Sequence, residues 1–179
     1  MCAAQVKSRP LAAAAGPMPL VEPSIPVALF EDQLNVQSAL SDMLRAVGEY
    51  RVIATLTTEA EGLAWAEQNR GRWDVAIIDL VLSQGNGISL ISRCRRAAPE
   101  SKIVVFSGFV SPGIRKHCLR LGADAAFDKA EQSAFIDYCK RLAYWFRSGG
   151  KPPDAGAAGP QHTTGAHPPF AGDRTSPAA

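Results

Sequence analysis

The stretch Trp73-Asp-Val-Ala-Ile-Ile-Asp79 decides the fold. Its centre is a short continuous apolar run, the pattern of a strand covered on both faces in a parallel sheet, and it ends on a carboxylate. Upstream, Ile25-Pro-Val-Ala-Leu-Phe30 repeats the pattern and ends on Glu31-Asp32. Downstream, Lys102-Ile-Val-Val-Phe106 repeats it again before Ser107, and a weak strand, Ala125–Phe127, stops just short of Lys129. Tyr50–Thr55, rich in β-branched residues, supplies the remaining strand.

Between these runs the period changes to that of a helix. Val36, Leu40, Met43 or Leu44, and Val47 recur at steps of three and four, and Gly48 is placed to stop the helix. Thr58 with Glu61 three places on is a capping box that opens a second helix, closed by Gly71. After Gly85 and Gly87, the residues Ile88, Ile91 and Cys94 mark a third, which Pro99 ends. Ser111-Pro112 provides the N-cap and first position of a fourth, with Gly122 at its far end. Phe135, Cys139, Leu142 and Phe146 form one stripe of the fifth. Five strands alternating with five helices predict an α/β fold, a three-layer (βα)5 sandwich with a five-stranded parallel sheet.

The folded span is shorter than the chain. Of thirteen prolines in 179 residues, only Pro26, Pro99 and Pro112 fall within 25–147. Residues 148–179 contain six Gly, six Pro and seven Ala, so they are expected to form a disordered tail, and residues 1–24 a similar N-terminal segment. Leu11–Val21 is rich in Ala and is interrupted by Pro17 and Pro19, which argues against a secretory leader. No apolar run approaches the roughly 18 residues that a membrane helix needs. A net charge of +2 suggests neither nucleic acid nor anionic lipid as a partner. Cys2, Cys94, Cys118 and Cys139 are too widely spaced for zinc or a redox dithiol, and a reducing, cytoplasmic setting is expected. His117, His162 and His167 are too scattered to bind metal together.

In a parallel sheet all strand ends of one kind open on one edge, and ligand chemistry gathers at the carboxyl ends. Here those ends carry Glu31, Asp32, Asp79, Ser107 and, just past the last, Lys129. Crowded carboxylates repel unless a cation neutralises them. Mg²⁺ suits such a set, with Asp32 and Asp79 as ligands and Glu31 in the outer shell. Asp79 is then placed as a nucleophile toward phosphorus, with Lys129 supplying an ammonium and Ser107 a hydrogen bond to a phosphoryl oxygen.

Over residues 25–147 the sequence resembles the receiver domain of bacterial two-component response regulators. The resemblance rests on Phe30-Glu31-Asp32, Asp79, Gly87 eight residues later, Ser107-Gly108 and Lys129, with intervals of 47, 28 and 22 residues from Asp32 to Asp79, Ser107 and Lys129 in turn. It implies a flavodoxin-like domain that accepts a phosphoryl group onto Asp79 from a sensor histidine kinase or a histidine phosphotransfer protein. It also implies Mg²⁺, with the backbone carbonyl of Val81 completing the metal site. Such a domain promotes its own phosphorylation and dephosphorylation and is not an enzyme acting on a separate substrate. In the family the phosphorylated aspartate draws the hydroxyl residue, here Ser107, inward, reshaping the face of the fourth helix, fifth strand and fifth helix where partners dock.

The chain departs from the family at several points. Lys129 is followed by Ala130 where a proline is common, and Ser83 stands where a proline often follows the aspartate. The usual aromatic switch position holds Ala126, and Phe127, one place on, falls on the other face of its strand. A modified switch is therefore expected. Val81 and Phe109, two residues past Asp79 and Ser107, sit at positions that tune the access of water, and their apolar bulk predicts slow self-dephosphorylation. Nothing after Arg147 reads as an output domain, so a stand-alone receiver is expected, acting on a downstream protein target or passing phosphate along a relay. The alternative is a phosphorylation-independent pseudo-receiver, opened by Ala126 and Ala130 and opposed by the complete acidic set. An aspartyl phosphatase would want an acid where Val81 stands, and a flavin-binding flavodoxin would not place Glu31 and Asp32 in its phosphate loop. The fifth helix carries more aromatics than one packed face requires: Phe135 and Phe146 are assigned to the core, and Tyr144 and Trp145 to a partner or homodimer contact.

Overall fold

The computed structural model describes residues 24–149, so the expectations for the terminal segments, and for Cys2, His162 and His167, lie outside the described residues. The chain runs β1 (Ile25–Phe30), α1 (Leu34–Val47), β2 (Tyr50–Leu56), α2 (Glu59–Gln68), β3 (Val75–Ile78), α3 (Ile88–Ala97), β4 (Lys102–Ser107), α4 (Pro112–Arg120), β5 (Ala125–Asp128), a 3-10 turn (Lys129–Glu131) and α5 (Gln132–Ser148). The five strands form one parallel sheet in the order β2-β1-β3-β4-β5. This is the flavodoxin-like three-layer arrangement read from the sequence.

Alternation along the strands builds two cores. Val27, Leu29, Val75, Ile77, Val104, Phe106, Ala125 and Phe127 face α1 and α5, where they meet Leu40, Leu44, Phe135 and Leu142. Ala28, Phe30, Ala76, Ile78, Ile103, Val105 and Ala126 face the other way, against Ala66, Leu90, Ile91, Cys94 and Cys118 of α2, α3 and α4. The central strands read as unbroken apolar runs because both faces are covered.

Three local readings need correction. β3 begins at Val75, not at Trp73. Asp74 donates its N–H to the Pro26 carbonyl at 2.9 Å, but Pro26 has no N–H to extend the ladder. Gly48 does end α1, yet its backbone is extended (φ −176°) and not left-handed. Glycine is needed there for space, because a Cβ would stand 2.7 Å from that of Ala143 in α5. The aromatics of α5 are also less exposed than their number suggests: Tyr138 is buried, and Trp145 is half-buried under the Lys102 ammonium, 4.9 Å from its ring centre. Of the two residues assigned to a partner contact, Tyr144 is the exposed one.

The caps fall where the sequence placed them. The Thr58 hydroxyl accepts the Glu61 N–H, and the Glu61 carboxylate accepts the Thr58 N–H, so both halves of the α2 capping box are made. Ser111 caps α4 by accepting the Ile114 N–H, with Pro112 at the first helical position.

Candidate functional site

The strand order reverses between the paired strands β1 and β3, from which the chain leads outward to β2 on one side and β4 on the other, and the carboxyl edge at such a switch point is where an open α/β sheet leaves a crevice. Phe30 is in register with Ile78, so the next residues, Glu31 and Asp79, emerge side by side. Ser107 closes β4 in register with Asp128, and Lys129 follows directly.

Four of the expected residues meet there. Lys129 Nζ donates to Asp79 Oδ2 at 2.6 Å and to Glu31 Oε2 at 2.8 Å. Ser107 Oγ donates to Asp79 Oδ1 at 2.6 Å, and the Val81 N–H reaches the same oxygen at 2.9 Å. Glu31, Asp79 and Ser107 are buried, at 1%, 4% and 0% exposure. Burial pushes the Glu31 carboxyl above its ordinary range, against the pull of its hydrogen bond from Lys129. Burial also works against the Lys129 ammonium, but its hydrogen bonds to Asp79 and Glu31 more than offset this and hold its pKa above the usual value. Asp32 stands apart: half-buried beside the cluster, its carboxylate takes no hydrogen bond or ion pair among the described residues.

Among the described residues no three Cys, His, Asp or Glu side chains converge as a closed metal cage. Two carboxylates at one sheet edge are hard oxygen donors of the kind that Mg²⁺ takes together with water. Asp32, Asp79 and the loop carrying Val81 fit that description.

The loop after Asp79 is shaped by close approach. A Cβ at Gly87 would lie 2.0 Å from the Asp79 carbonyl oxygen, so no other residue fits without moving the aspartate. Glu59 at the start of α2 accepts the Asn86 N–H at 2.9 Å and the Ser89 hydroxyl, while Ser83, in place of a proline, donates to the Thr57 carbonyl at 2.9 Å. Val81 and Phe109 stand at the rim, 49% and 69% exposed.

Around Lys129 the structure adds residues that sequence reading did not single out. Asp128 Oδ1 accepts the Ala130 N–H at 2.8 Å, and Glu131 Oε2 accepts the Asp128 N–H at 2.8 Å. Arg115 of α4 bridges Glu131 and the Ala126 carbonyl. The Asp128-x-x-Glu131 spacing is itself a capping-box signal. Arg115 had no sequence signal, because only the fold brings α4 beside β5. Phe127 turns away from this face, as its register predicts, and packs edge-on against Phe135 with centroids 5.8 Å apart.

Residues 27–137 match the family described as the response regulator receiver domain. The chain is 33% identical over 86 residues to the methanol utilization control regulatory protein MoxX of Paracoccus denitrificans, a match covering 47% of this chain and 38% of MoxX. It thus spans well under half the length of that relative. Among solved structures, the signal receiver domain of a DNA-binding response regulator (merR) from Colwellia psychrerythraea 34H superposes with a TM-score of 0.58 at 18% identity, covering 68% of this chain and 99% of the other. A response regulator from Burkholderia pseudomallei, solved with a phosphorylated aspartic acid, a calcium ion and citrate, gives 0.56 at 20% identity, covering 70% and 72%. At these identities the structural likeness concerns the fold.

Proposed function

Because the chain belongs to the response regulator receiver domain family, a signalling module, we propose that Asp79 is its phosphoryl acceptor and that the domain works as a single-domain response regulator. The observation that supports this most directly is the buried Asp79 carboxylate held between the Lys129 ammonium and the Ser107 hydroxyl, both at 2.6 Å. A carboxylate oxygen of Asp79 attacks phosphorus and forms an O–P bond. The P–N bond of a donor phosphohistidine breaks, its electron pair stays on the imidazole nitrogen, and a proton from solvent neutralises it. Lys129 balances charge on the transferring oxygens, and Ser107 offers its O–H to one of them. Asp32, Asp79 and the Val81 carbonyl would hold Mg²⁺, which when bound neutralises the acids and polarises the phosphoryl group.

A groove between α1 and α5, lined by Val36, Met43, Phe106 and Phe135, opens beside Lys129 and would let a histidine kinase or phosphotransfer protein approach Asp79. Output passes to a downstream protein or along a relay. Cys94, Cys118 and Cys139 are unpaired and buried, which suits the reducing cytoplasm.

The test is Mg²⁺-dependent incorporation of phosphate from a small phosphodonor, comparing wild type with Asp79→Asn. Incorporation in the wild type alone is the expected result; none in either would favour a pseudo-receiver, and label on another residue would overturn the site. The same labelled protein checks the rim: Phe109→Ala is expected to lose its phosphate severalfold faster, since the exposed ring hinders attacking water.

A further inference from the structure

The backbone N–H groups of the residues on either side of Lys129 are both held by side-chain carboxylates. The Asp128 N–H is bound by Glu131 Oε2 and the Ala130 N–H by Asp128 Oδ1, each at 2.8 Å. Every peptide bond among the described residues is trans, so this pair of hydrogen bonds, with no proline, sets the turn. Glu131 is in turn held from outside: Arg115 Nη2 reaches the same Oε2 at 2.5 Å. The other arm of Arg115 covers the carbonyl of Ala126 on β5, an edge strand whose outer backbone groups have no neighbouring strand to pair with. Asp128 Oδ2 also receives the Val110 N–H at 3.3 Å, three residues past Ser107.

We propose that Arg115 and Glu131 are positioning residues for Lys129, and that this polar chain ties helix α4 and the loop after Ser107 to the Asp79 site. The inference rests on the role assigned to Lys129 above. With methyl-sized Ala126 on β5, no ring lies between α4 and this turn, and the guanidinium takes that path. Arg115 and Glu131 side chains are 26% and 24% exposed, so their pairing is partly shielded from water. A displacement of the loop after Ser107 would pull on Asp128 through Val110, and a displacement of α4 would pull on Glu131 through Arg115. Both reach the turn that carries Lys129.

The experiment follows Lys129 directly, by the NMR shift of its side-chain ε carbon in the unphosphorylated protein, alongside phosphate uptake from a small donor. In Glu131→Ala and Arg115→Ala the shift should move toward that of a free lysine, and uptake should fall about tenfold, as for other misplaced catalytic groups. Glu131→Gln keeps an acceptor for the Asp128 N–H and should recover most of both. If an alanine variant does not fold, Arg115→Gln and Glu131→Met, which lose the same hydrogen bonds at closer to the native volume, replace it. An unmoved Lys129 shift in folded Arg115→Ala and Glu131→Ala overturns the proposal whatever the uptake shows. A wild type that takes up no phosphate would instead sink the reading of Asp79, and the shift would still decide the positioning.

Discussion

Glu31 shows how much the site asks of a single residue. It is 1% exposed, beside Asp79, and shares one ammonium with it. Burial lifts its pKa above the ordinary 4.5, the Lys129 and Gln33 hydrogen bonds pull it back, and the charge of Asp79 adds to the rise. A carboxyl whose pKa rises on folding binds more protons in the folded than in the unfolded state between the two values. Stability is then greatest below 4.5 and declines as pH rises through the folded value. Glu31→Gln removes that titration. Its urea midpoint should therefore gain on the wild type as pH rises across this window and run parallel to it above. A gap that stays constant from below 4.5 to neutral pH would show that Glu31 does not titrate abnormally.

At the scale of elements, one side chain ties together several segments at the end of the sheet opposite the site. Arg95 of α3 donates to the carbonyls of Pro99 (2.7 Å), Ser101 (2.8 Å) and Gly122 (2.8 Å), and to Asp124 Oδ2 (2.5 Å). It thereby joins α3 to the chain entering β4 and β5. Hydrogen bonds from a charged donor are worth about 1.5–3 kcal/mol each, so Arg95→Ala, which strands several acceptors, should cost about 2–4 kcal/mol in chemical denaturation. Arg95→Lys should recover only part, because a point ammonium cannot span the fork of acceptors. Equal stability of Arg95→Ala and wild type would remove this role. Neither Arg95 nor Arg115 was legible in the sequence, and for the same reason: the groups each ties to its helix, Gly122 and Asp124 for Arg95 and Ala126 and Glu131 for Arg115, are brought near only by the fold. What was legible depends on local or periodic signals. The apolar runs gave the strands, Thr58 and Ser111 gave helix starts, and Glu31, Asp79, Ser107 and Lys129 came together because parallel strand ends share one edge. The start of β3 was misread because a missing N–H on Pro26, in another strand, sets it. Phe127 could be assigned to the face opposite Ala126 because strand alternation needs no tertiary knowledge, and the fold shows that face packed on α5.

Taken as a whole, the molecule gathers three carboxylates, Glu31, Asp32 and Asp79, at one end of the sheet against the single ammonium of Lys129. Two of the acids are almost fully buried, and like charges so placed weigh against the folded state. The unfolded chain separates them. A divalent cation that binds this cluster and not the unfolded chain must therefore stabilise the whole domain, by about 1.4 kcal/mol when its concentration is ten times its dissociation constant. Mg²⁺ should accordingly raise the urea midpoint of the wild-type chain. Asp32→Asn should abolish the rise and itself raise the metal-free midpoint somewhat, since it removes one of the three like charges and, among the described residues, breaks no hydrogen bond or ion pair. Sodium chloride at matched ionic strength separates binding from screening, because screening would relieve the repulsion with either salt. If Mg²⁺ stabilises Asp32→Asn as much as wild type, or sodium chloride does as well as Mg²⁺, the cluster is not a metal site and its acids must be balanced by Lys129 alone.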